Sequence, residues 1–308
     1  MKMLDDLTRK LDSYEARSYI DDSFSSFWAR RIAEAKKPRP ISREEVSLGN
    51  PLAAYYELHF PALDGKALRA RFVMPRAEAF APDISKTPLV VMFHDAGRKM
   101  RGWHHMTRYI ALGMPVLALE NRCLAFSETI DWQAGPDQLD LTHLVEDALV
   151  TVYASRLLPE MDGRFVATWG EGLGGGLALM CAALLPNLVK KSAAMNPLPA
   201  DYQGALELKA KSPVFQSVHD TFRYDDSEHA DEGDIYRVLS FVDCANFAPL
   251  IKAKVLVGTG LMDDVAPAAT QYAICNRLTC ENKHILYPEW THERINDLED
   301  KELVFLAK

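Results

Sequence analysis

A glycine-rich turn at residues 170–176 is the feature that most constrains this chain. The turn reads G-E-G-L-G-G-G and lies between an apolar run at 165–169 and a helical stretch at 177–185. A strand, a sharp glycine turn and a helix in this order are typical of the nucleophile elbow G-x-S-x-G. Gly170 and Gly174 match its outer glycines, but Gly172 stands where a hydrolase holds its serine. The sequence therefore predicts an elbow without the side chain that begins acyl transfer.

The composition and net charge of the chain favour a soluble globular protein and argue against nucleic-acid binding. The chain has 308 residues, of which 48% are apolar and 25% charged, as in ordinary soluble domains. Its net charge of −8, from 35 basic and 43 acidic residues, argues against nucleic-acid binding, which needs clustered cations. The first residues are charged and resemble no signal peptide, and no apolar stretch is long enough to span a bilayer. Five cysteines without metal-ligand spacing predict reduced thiols, so we expect a cytoplasmic protein without membrane, metal or cofactor.

The order of apolar runs predicts an α/β fold. Strands are expected at 89–93, 115–119, 165–169, 189–195, 255–258 and 285–287, after a hairpin within 55–74. Helical spacing follows at 141–158, and a closing helix is expected at 293–307. This alternation predicts a mainly parallel sheet with helices on both faces. We expect a single domain over 1–308, with a helical N-terminal arm at 1–45 and a helical insertion over the sheet edge at 198–250.

Two candidate catalytic residues follow later strands. Asp263 comes after the run at 255–258, and His292 comes after the run at 285–287. The order elbow, acid, histidine is that of α/β-hydrolases, and parallel strands bring such residues to one edge of the sheet. Structural alternatives to these catalytic roles stay open. Asp263 could cap a helix near residue 267, and Asp264 competes with it as the acid. His292 could lie on the surface.

An oxyanion hole would need two backbone donors near the elbow. The turn after the first parallel strand, at 93–98, and the residue after the nucleophile position supply them in this fold. By position these donors are the N–H groups of Ala96 and Leu173. We interpret His94 as a structural residue that holds the turn by hydrogen bonds.

Several motifs together resemble the cephalosporin C deacetylases and acetyl xylan esterases of carbohydrate esterase family seven. The stretch F-H-D-A-G-R at 93–98 is similar to the family's F-H-G-Y turn, and 170–179 is similar to its G-G-S-Q-G-G-G-L-A-L elbow. Residues 240–250 resemble its S-Y-F-D-x-x-N-x-A-P segment, 260–267 match G-L-x-D-x-x-x-P, and 292–293 match a terminal H-E. The aromatic segment F-S-S-F-W at 24–28 also resembles the family's N-terminal segment, so the likeness covers nearly the whole chain.

The resemblance implies an α/β-hydrolase fold and removal of acetyl groups from small acylated sugars or related esters. It also implies a homo-oligomer, a hexamer or trimer, with Asp263 as the acid and His292 as the base. Four further family residues are replaced: Asp95 and Glu171 each stand for a glycine, Ala96 for a tyrosine and Leu173 for a glutamine.

Three interpretations of the missing serine remain open. The protein could be a weakened deacetylase in which His292 activates a water at the vacant elbow position. It could be a natural pseudoenzyme that serves as a binding or structural module, or an esterase whose serine was removed deliberately. Glu171 is disfavoured as a substitute nucleophile, because its elbow position should direct it away from the pocket.

Overall fold

Nine β-strands form one sheet in the computed structural model, which describes residues 2–76, 86–122, 129–161 and 164–308. The strands are β1 (Ser42–Glu45), β2 (Ala53–Pro61), β3 (Ala67–Pro75), β4 (Leu89–Phe93), β5 (Val116–Glu120), β6 (Val166–Glu171), β7 (Val189–Met195), β8 (Lys254–Gly260) and β9 (Asn282–Tyr287). The α-helices are α1 (Lys2–Asp12), α2 (Phe24–Ala35), α3 (Thr107–Ile110), α4 (Asp140–Ser155), α5 (Leu173–Leu184), α6 (Tyr202–Glu207), α7 (Pro213–Tyr224), α8 (Glu232–Leu239), α9 (Cys244–Phe247), α10 (Ala268–Cys275) and α11 (Asn296–Ala307).

The strand order is β1-β2-β3-β5-β4-β6-β7-β8-β9. The six strands from β5 to β9 in this order run parallel to one another, whereas the pairs β1–β2, β2–β3 and β3–β5 are antiparallel. The predicted hairpin is therefore β2 and β3, and the predicted strands all form. Strand β1 was not predicted, because its four residues are polar and all exposed, and it lies at the end of the segment 1–45 that was expected to be helical.

The sheet is covered on both faces, as the unbroken apolar runs predicted. Every residue of β4 and β6 is buried. Phe93 and Leu177 belong to a hydrophobic cluster on one side of the sheet, and Val90, Trp169 and Leu298 belong to a second cluster on the other side. Helices on both sides of a mostly parallel sheet confirm the predicted fold class.

The carboxyl ends of four parallel strands define the region of the candidate site. The residues after β4, β6, β8 and β9 leave the sheet at the same edge, because parallel neighbours share a direction. In open α/β sheets this edge is where ligands bind. The sheet therefore brings together the segments 94–98, 172–173, 261–264 and 288–292, which are far apart in sequence.

The N-terminal arm docks on the helical segment through aromatic rings. Trp28 in α2 is 1% exposed, its indole N–H donates to the Phe241 carbonyl at 3.1 Å, and its ring lies 5.6 Å from that of Phe247. Phe24 meets the Phe247 ring at 5.0 Å. The region 198–250 contains the helices α6 to α9. Among the described helices, none has the length and apolar character to cross a bilayer.

Truncating Trp28 tests whether the arm folds with the rest of the chain. A Trp28→Ala variant should lose about 3–5 kcal/mol of unfolding free energy, because it empties a buried indole site and removes a hydrogen bond. Urea denaturation followed by circular dichroism measures this loss. Ile20→Ala is the matched control, since Ile20 is 47% exposed on the same arm and should change stability by less than about 0.5 kcal/mol. A loss below about 1 kcal/mol for Trp28→Ala would mean that the arm unfolds independently.

Candidate functional site

The turn between β6 and α5 has the strained backbone that is typical of a nucleophile elbow. Gly172 lies between β6 and α5 with φ 52° and ψ −122°, a conformation that residues with a side chain adopt only under strain. Its N–H donates to the Met195 carbonyl at 2.9 Å, which ties the turn to β7. An added Cβ at Gly174 would overlap the Phe93 carbonyl, so this glycine allows α5 to approach β4 closely. The backbone geometry of a nucleophile elbow is therefore present, and a glycine stands at the position where the sequence motif predicts the serine.

Asp263 and His292 meet in a hydrogen bond. Asp263 Oδ2 lies 2.7 Å from His292 Nδ1. Asp263 Oδ1 accepts the backbone N–H groups of Val265 and Ala266, each at 2.8 Å. Asp263 does not cap α10, whose N-cap residue is Pro267; one Asp263 oxygen instead closes the turn before that helix, and the other contacts the imidazole. His292 is not a free surface histidine, since its side chain is only 11% exposed.

Asp264 and Glu171, the two other carboxylates considered for catalytic roles, are paired with basic residues. Asp264 forms an ion pair with Lys211 at 2.6 Å, and both side chains are mostly exposed. Glu171, which precedes the elbow glycine, forms an ion pair with Arg101 and lies 3.7 Å from Arg98. Neither carboxylate contacts His292 through any ion pair of the described residues.

The two predicted oxyanion donors converge on a side chain that sequence reasoning did not place in the site. Asp95 Oδ1 accepts the backbone N–H of Ala96 at 2.7 Å and that of Leu173 at 2.9 Å. Asp95 itself is 5% exposed. The predicted position of the substrate oxygen is therefore occupied by the Asp95 carboxylate.

The second oxygen of Asp95 contacts the His292 ring and lies near Arg98. Asp95 Oδ2 lies 3.1 Å from His292 Nε2 and 3.7 Å from Arg98 Nε. His292 therefore has a carboxylate on each ring nitrogen, Asp263 on Nδ1 and Asp95 on Nε2. Only the protonated imidazolium can donate to both.

These carboxylates control the charge of the imidazole. Burial of the His292 ring lowers its pKa, but the hydrogen bonds and negative charges of Asp263 and Asp95 outweigh that effect and raise the pKa to about 9. At neutral pH the ring is an imidazolium. In this state it is a bridge between two carboxylates and not a proton acceptor.

Asp95 can occupy this position because residue 172 has no side chain. A Cβ added to Gly172 would overlap the carboxylate of Asp95, well inside van der Waals contact. A serine at 172 and the observed orientation of Asp95 therefore exclude each other. The sequence contained both replacements that produce this contact, Asp95 for a glycine and Gly172 for a serine. It contained no pattern from which the contact between the two positions could be predicted.

His94 holds the turn that carries Asp95. Its Nε2 accepts the backbone N–H of Asn121 at 2.9 Å, so its Nδ1 carries the proton and donates to the Asp95 carbonyl, also at 2.9 Å. Burial lowers the pKa of His94, which keeps this neutral form at physiological pH. The Asn121 side chain donates to the His94 carbonyl at 2.8 Å. These contacts agree with the structural role expected for His94.

Comparison with known proteins identifies the family. The acetyl xylan esterase (AXE1) family profile matches residues 1–308. The chain belongs to the acetyl xylan esterase family. The resemblance found in the sequence is thereby confirmed over the whole chain. Acetyl esterase Axe7A of Xylanibacter ruminicola is 27% identical over 152 residues, which cover 49% of this chain and 32% of that longer protein.

Solved structures of acetyl xylan esterases share the fold. Acetyl xylan esterase 1 from Thermoanaerobacterium sp. JW/SL YS485 superposes with a TM-score of 0.87 at 26% identity, covering 97% of each chain. The acetyl xylan esterase from Paenibacillus sp. R4 gives the same TM-score at 23% identity, covering 97% of this chain and 98% of that one. Est1E from Butyrivibrio proteoclasticus, at 18% identity and a TM-score of 0.57, shares only the general fold and covers 80% of this chain and 98% of its own. These likenesses confirm the α/β-hydrolase fold.

The bridged imidazolium predicts a specific dependence of stability on pH. The folded-state pKa of about 9 lies above the ordinary histidine value of about 6.5, so the folded protein holds a proton that the unfolded chain releases between these pH values. The contribution of His292 to stability is therefore complete below about pH 6.5 and is lost as the pH rises through about 9. The unfolding free energy should fall over this window, with a slope of at most about 1.4 kcal/mol per pH unit.

Urea titrations between pH 6 and 10 measure this slope. In His292→Gln the corresponding fall should be absent, because glutamine does not titrate. His59→Gln is the control for loss of an imidazole outside the site, since His59 lies in β2 and two strands separate β2 from β4. Equal slopes in wild type and His292→Gln would show that the imidazole does not bridge the two carboxylates.

Proposed function

We propose that this chain is an acetyl xylan esterase family protein that has lost serine-dependent hydrolysis of acetyl esters and holds its own carboxylate in the oxyanion hole. The single observation that supports this proposal is the pair of hydrogen bonds from the Ala96 and Leu173 N–H groups to Asp95 Oδ1. On this proposal the protein is a natural pseudoenzyme, and its role is binding or structural.

The chemistry of acyl transfer explains why this arrangement is inhibitory. An oxyanion hole works because its donors face the place where negative charge develops on the substrate oxygen. Here the Asp95 carboxylate already accepts both N–H groups, so an ester carbonyl cannot enter without displacing Asp95. Removing a serine nucleophile alone typically lowers turnover about a million-fold. Loss of one oxyanion donor typically lowers it by a further hundred- to thousand-fold or so.

The second candidate, a weak deacetylase in which His292 activates water, is supported by the intact bond between His292 and Asp263. The protonation state of the His292 ring argues against this candidate. A general base must be neutral, and the pKa of His292 near 9 leaves little neutral imidazole at pH 7. Its substrates would be the small acylated sugars that the family resemblance implies. The predicted hexamer or trimer and the cytoplasmic location remain predictions for either candidate.

A double variant that introduces serine at residue 172 and removes the Asp95 carboxylate tests whether these two positions account for the lost hydrolysis. Hydrolysis of p-nitrophenyl acetate should be measured for wild type, Gly172→Ser, Asp95→Gly and the double variant. Neither single change should give appreciable turnover, because the serine alone meets the Asp95 carboxylate and the freed oxyanion hole alone has no nucleophile. The double variant should exceed wild type by at least about a thousand-fold, since it combines serine, freed donors and an oriented histidine.

Two results would contradict the proposal. Full activity in Gly172→Ser alone would show that Asp95 does not block the elbow. An inactive double variant that is folded by circular dichroism would show that the site has lost more than these two groups. Adding His292→Ala to the double variant is the control, and it should remove the gained activity if the restored reaction uses the family chemistry.

The weak-deacetylase candidate makes its own prediction for wild type. Hydrolysis by a neutral His292 should rise with pH through about 9, following deprotonation of the ring, and should disappear in His292→Gln. The proposal of a lost activity instead expects the wild-type and His292→Gln rates to be equal to each other from pH 7 to pH 10. Initial rates corrected for uncatalysed hydrolysis decide between the two.

A further inference from the structure

A cavity of about 530 Å³ lies between α11 and the strands β7, β8 and β9. Four apolar residues, five lysines and three acidic residues line it. Two of these residues, Lys191 and Lys254, lie near the amino ends of β7 and β8, whereas the candidate site lies at the carboxyl ends of the parallel strands. None of the lining residues belongs to the cluster around Asp95 and His292.

Two lysines are neighbours on adjacent strands at one end of this cavity. Lys191 of β7 and Lys254 of β8 are paired in the parallel register of the sheet. Burial lowers the pKa of the Lys191 ammonium, and the positive charge of Lys254 lowers it further. An anion bound beside the two lysines would offset the repulsion between them.

Lys191 is held in a fixed position in the wall of the cavity. It is 9% exposed, and its Nζ donates to the Phe305 and Leu306 carbonyls at the end of α11, each at 3.1 Å. An ammonium group has three N–H donors, so these two carbonyls leave one donor for a ligand. Because its position is already fixed, Lys191 loses little side-chain freedom when a ligand binds.

The lining of the cavity carries an excess of positive charge. Two of its three acidic residues already pair with lysines of the lining, at Lys254 and Lys301. Within the described chain, Lys191 and Lys283 form no ion pair, and of the acidic lining residues Asp300 remains to balance them. This excess favours an anionic ligand, and it would repel an ammonium group.

A strip of apolar surface begins beside these lysines. Leu256 and Ile285 line it on β8 and β9, and Val304 of α11 flanks it with half of its surface exposed. Ile285 pairs with Gly258, four residues beyond Lys254, so the strip extends about 13 Å from the level of the lysines at about 3.3 Å per residue. The hydrocarbon chain of octanoate or decanoate fits a strip of this length.

We propose that this cavity binds a medium-chain monocarboxylate, with its carboxylate at Lys191 and its hydrocarbon chain along Leu256, Ile285 and Val304. The positive charge selects the head group, and the apolar strip selects the chain. Sites for small ligands combine apolar surface with a few fixed polar groups in this way. Binding here is independent of the proposed loss of hydrolysis, because the cavity lies at other residues.

Ligand-observed saturation-transfer NMR on the full chain at pH 7 tests this proposal with sodium octanoate as the probe. We expect saturation transfer to octanoate, and we expect added decanoate to displace it. Acetate should not displace octanoate, because it lacks the chain. Octylammonium should not displace it either, because it has the same chain length and the opposite charge.

Two substitutions test the assigned position of the ligand. Lys191→Met should weaken octanoate binding about tenfold, because it removes a charged hydrogen-bond donor and keeps an unbranched apolar side chain. Val304→Glu should also weaken it, because it places a negative charge beside the strip. Lys190→Met is the matched control, since Lys190 is the neighbouring lysine of β7, donates to the Pro186 carbonyl and does not line the cavity.

Val304→Glu keeps the test decisive even if Lys191→Met fails to fold. Val304 is 50% exposed, so its replacement should leave the melting temperature close to that of wild type. Absence of octanoate binding to wild type would overturn the proposal. Binding that is unchanged in Val304→Glu and in a folded Lys191→Met, or displacement of octanoate by octylammonium, would also overturn it.

Discussion

The carboxylate of Asp95 reaches the turn between β6 and α5 because residue 172 carries no side chain. A buried carboxylate is stable as an ion only when donors replace the water it has lost. Asp95 receives two backbone N–H groups on one oxygen and the His292 ring on the other. The segments that follow β4, β6 and β9 are thereby linked through one side chain, and Asp263 extends the link to the segment after β8.

This arrangement gives the histidine and its acid a role that does not require catalysis. In a working hydrolase the imidazole must be neutral when it removes a proton. Between two carboxylates it is more stable as a cation, so His292 and Asp263 hold each other in place for an electrostatic reason. Their presence in the family pattern therefore does not by itself argue for turnover, and the neighbouring residues decide what the pair can do.

Sequence reasoning recovered most of the fold because its signals are local. The continuous apolar runs of β4, β6 and β7 mark strands covered on both faces. The edge strand β1 was missed because Ser42–Glu45 is polar on both sides and has no alternating pattern to recognise. Asp263 and His292 were expected at one sheet edge because each follows a parallel strand, and in the structure they lie there within hydrogen-bond distance. Asp95 was noted only as a replaced glycine, because its contact with residue 172 depends on packing between segments more than seventy residues apart.

The overlap between a side chain at residue 172 and the observed carboxylate of Asp95 has a consequence for substitutions at the two positions. Serine at 172 alone sets its side chain against the Asp95 carboxylate, and replacing Asp95 alone frees the Ala96 and Leu173 N–H groups without supplying a nucleophile. The effects of the two substitutions on stability are therefore non-additive, and a double-mutant cycle measures the coupling free energy between the two positions.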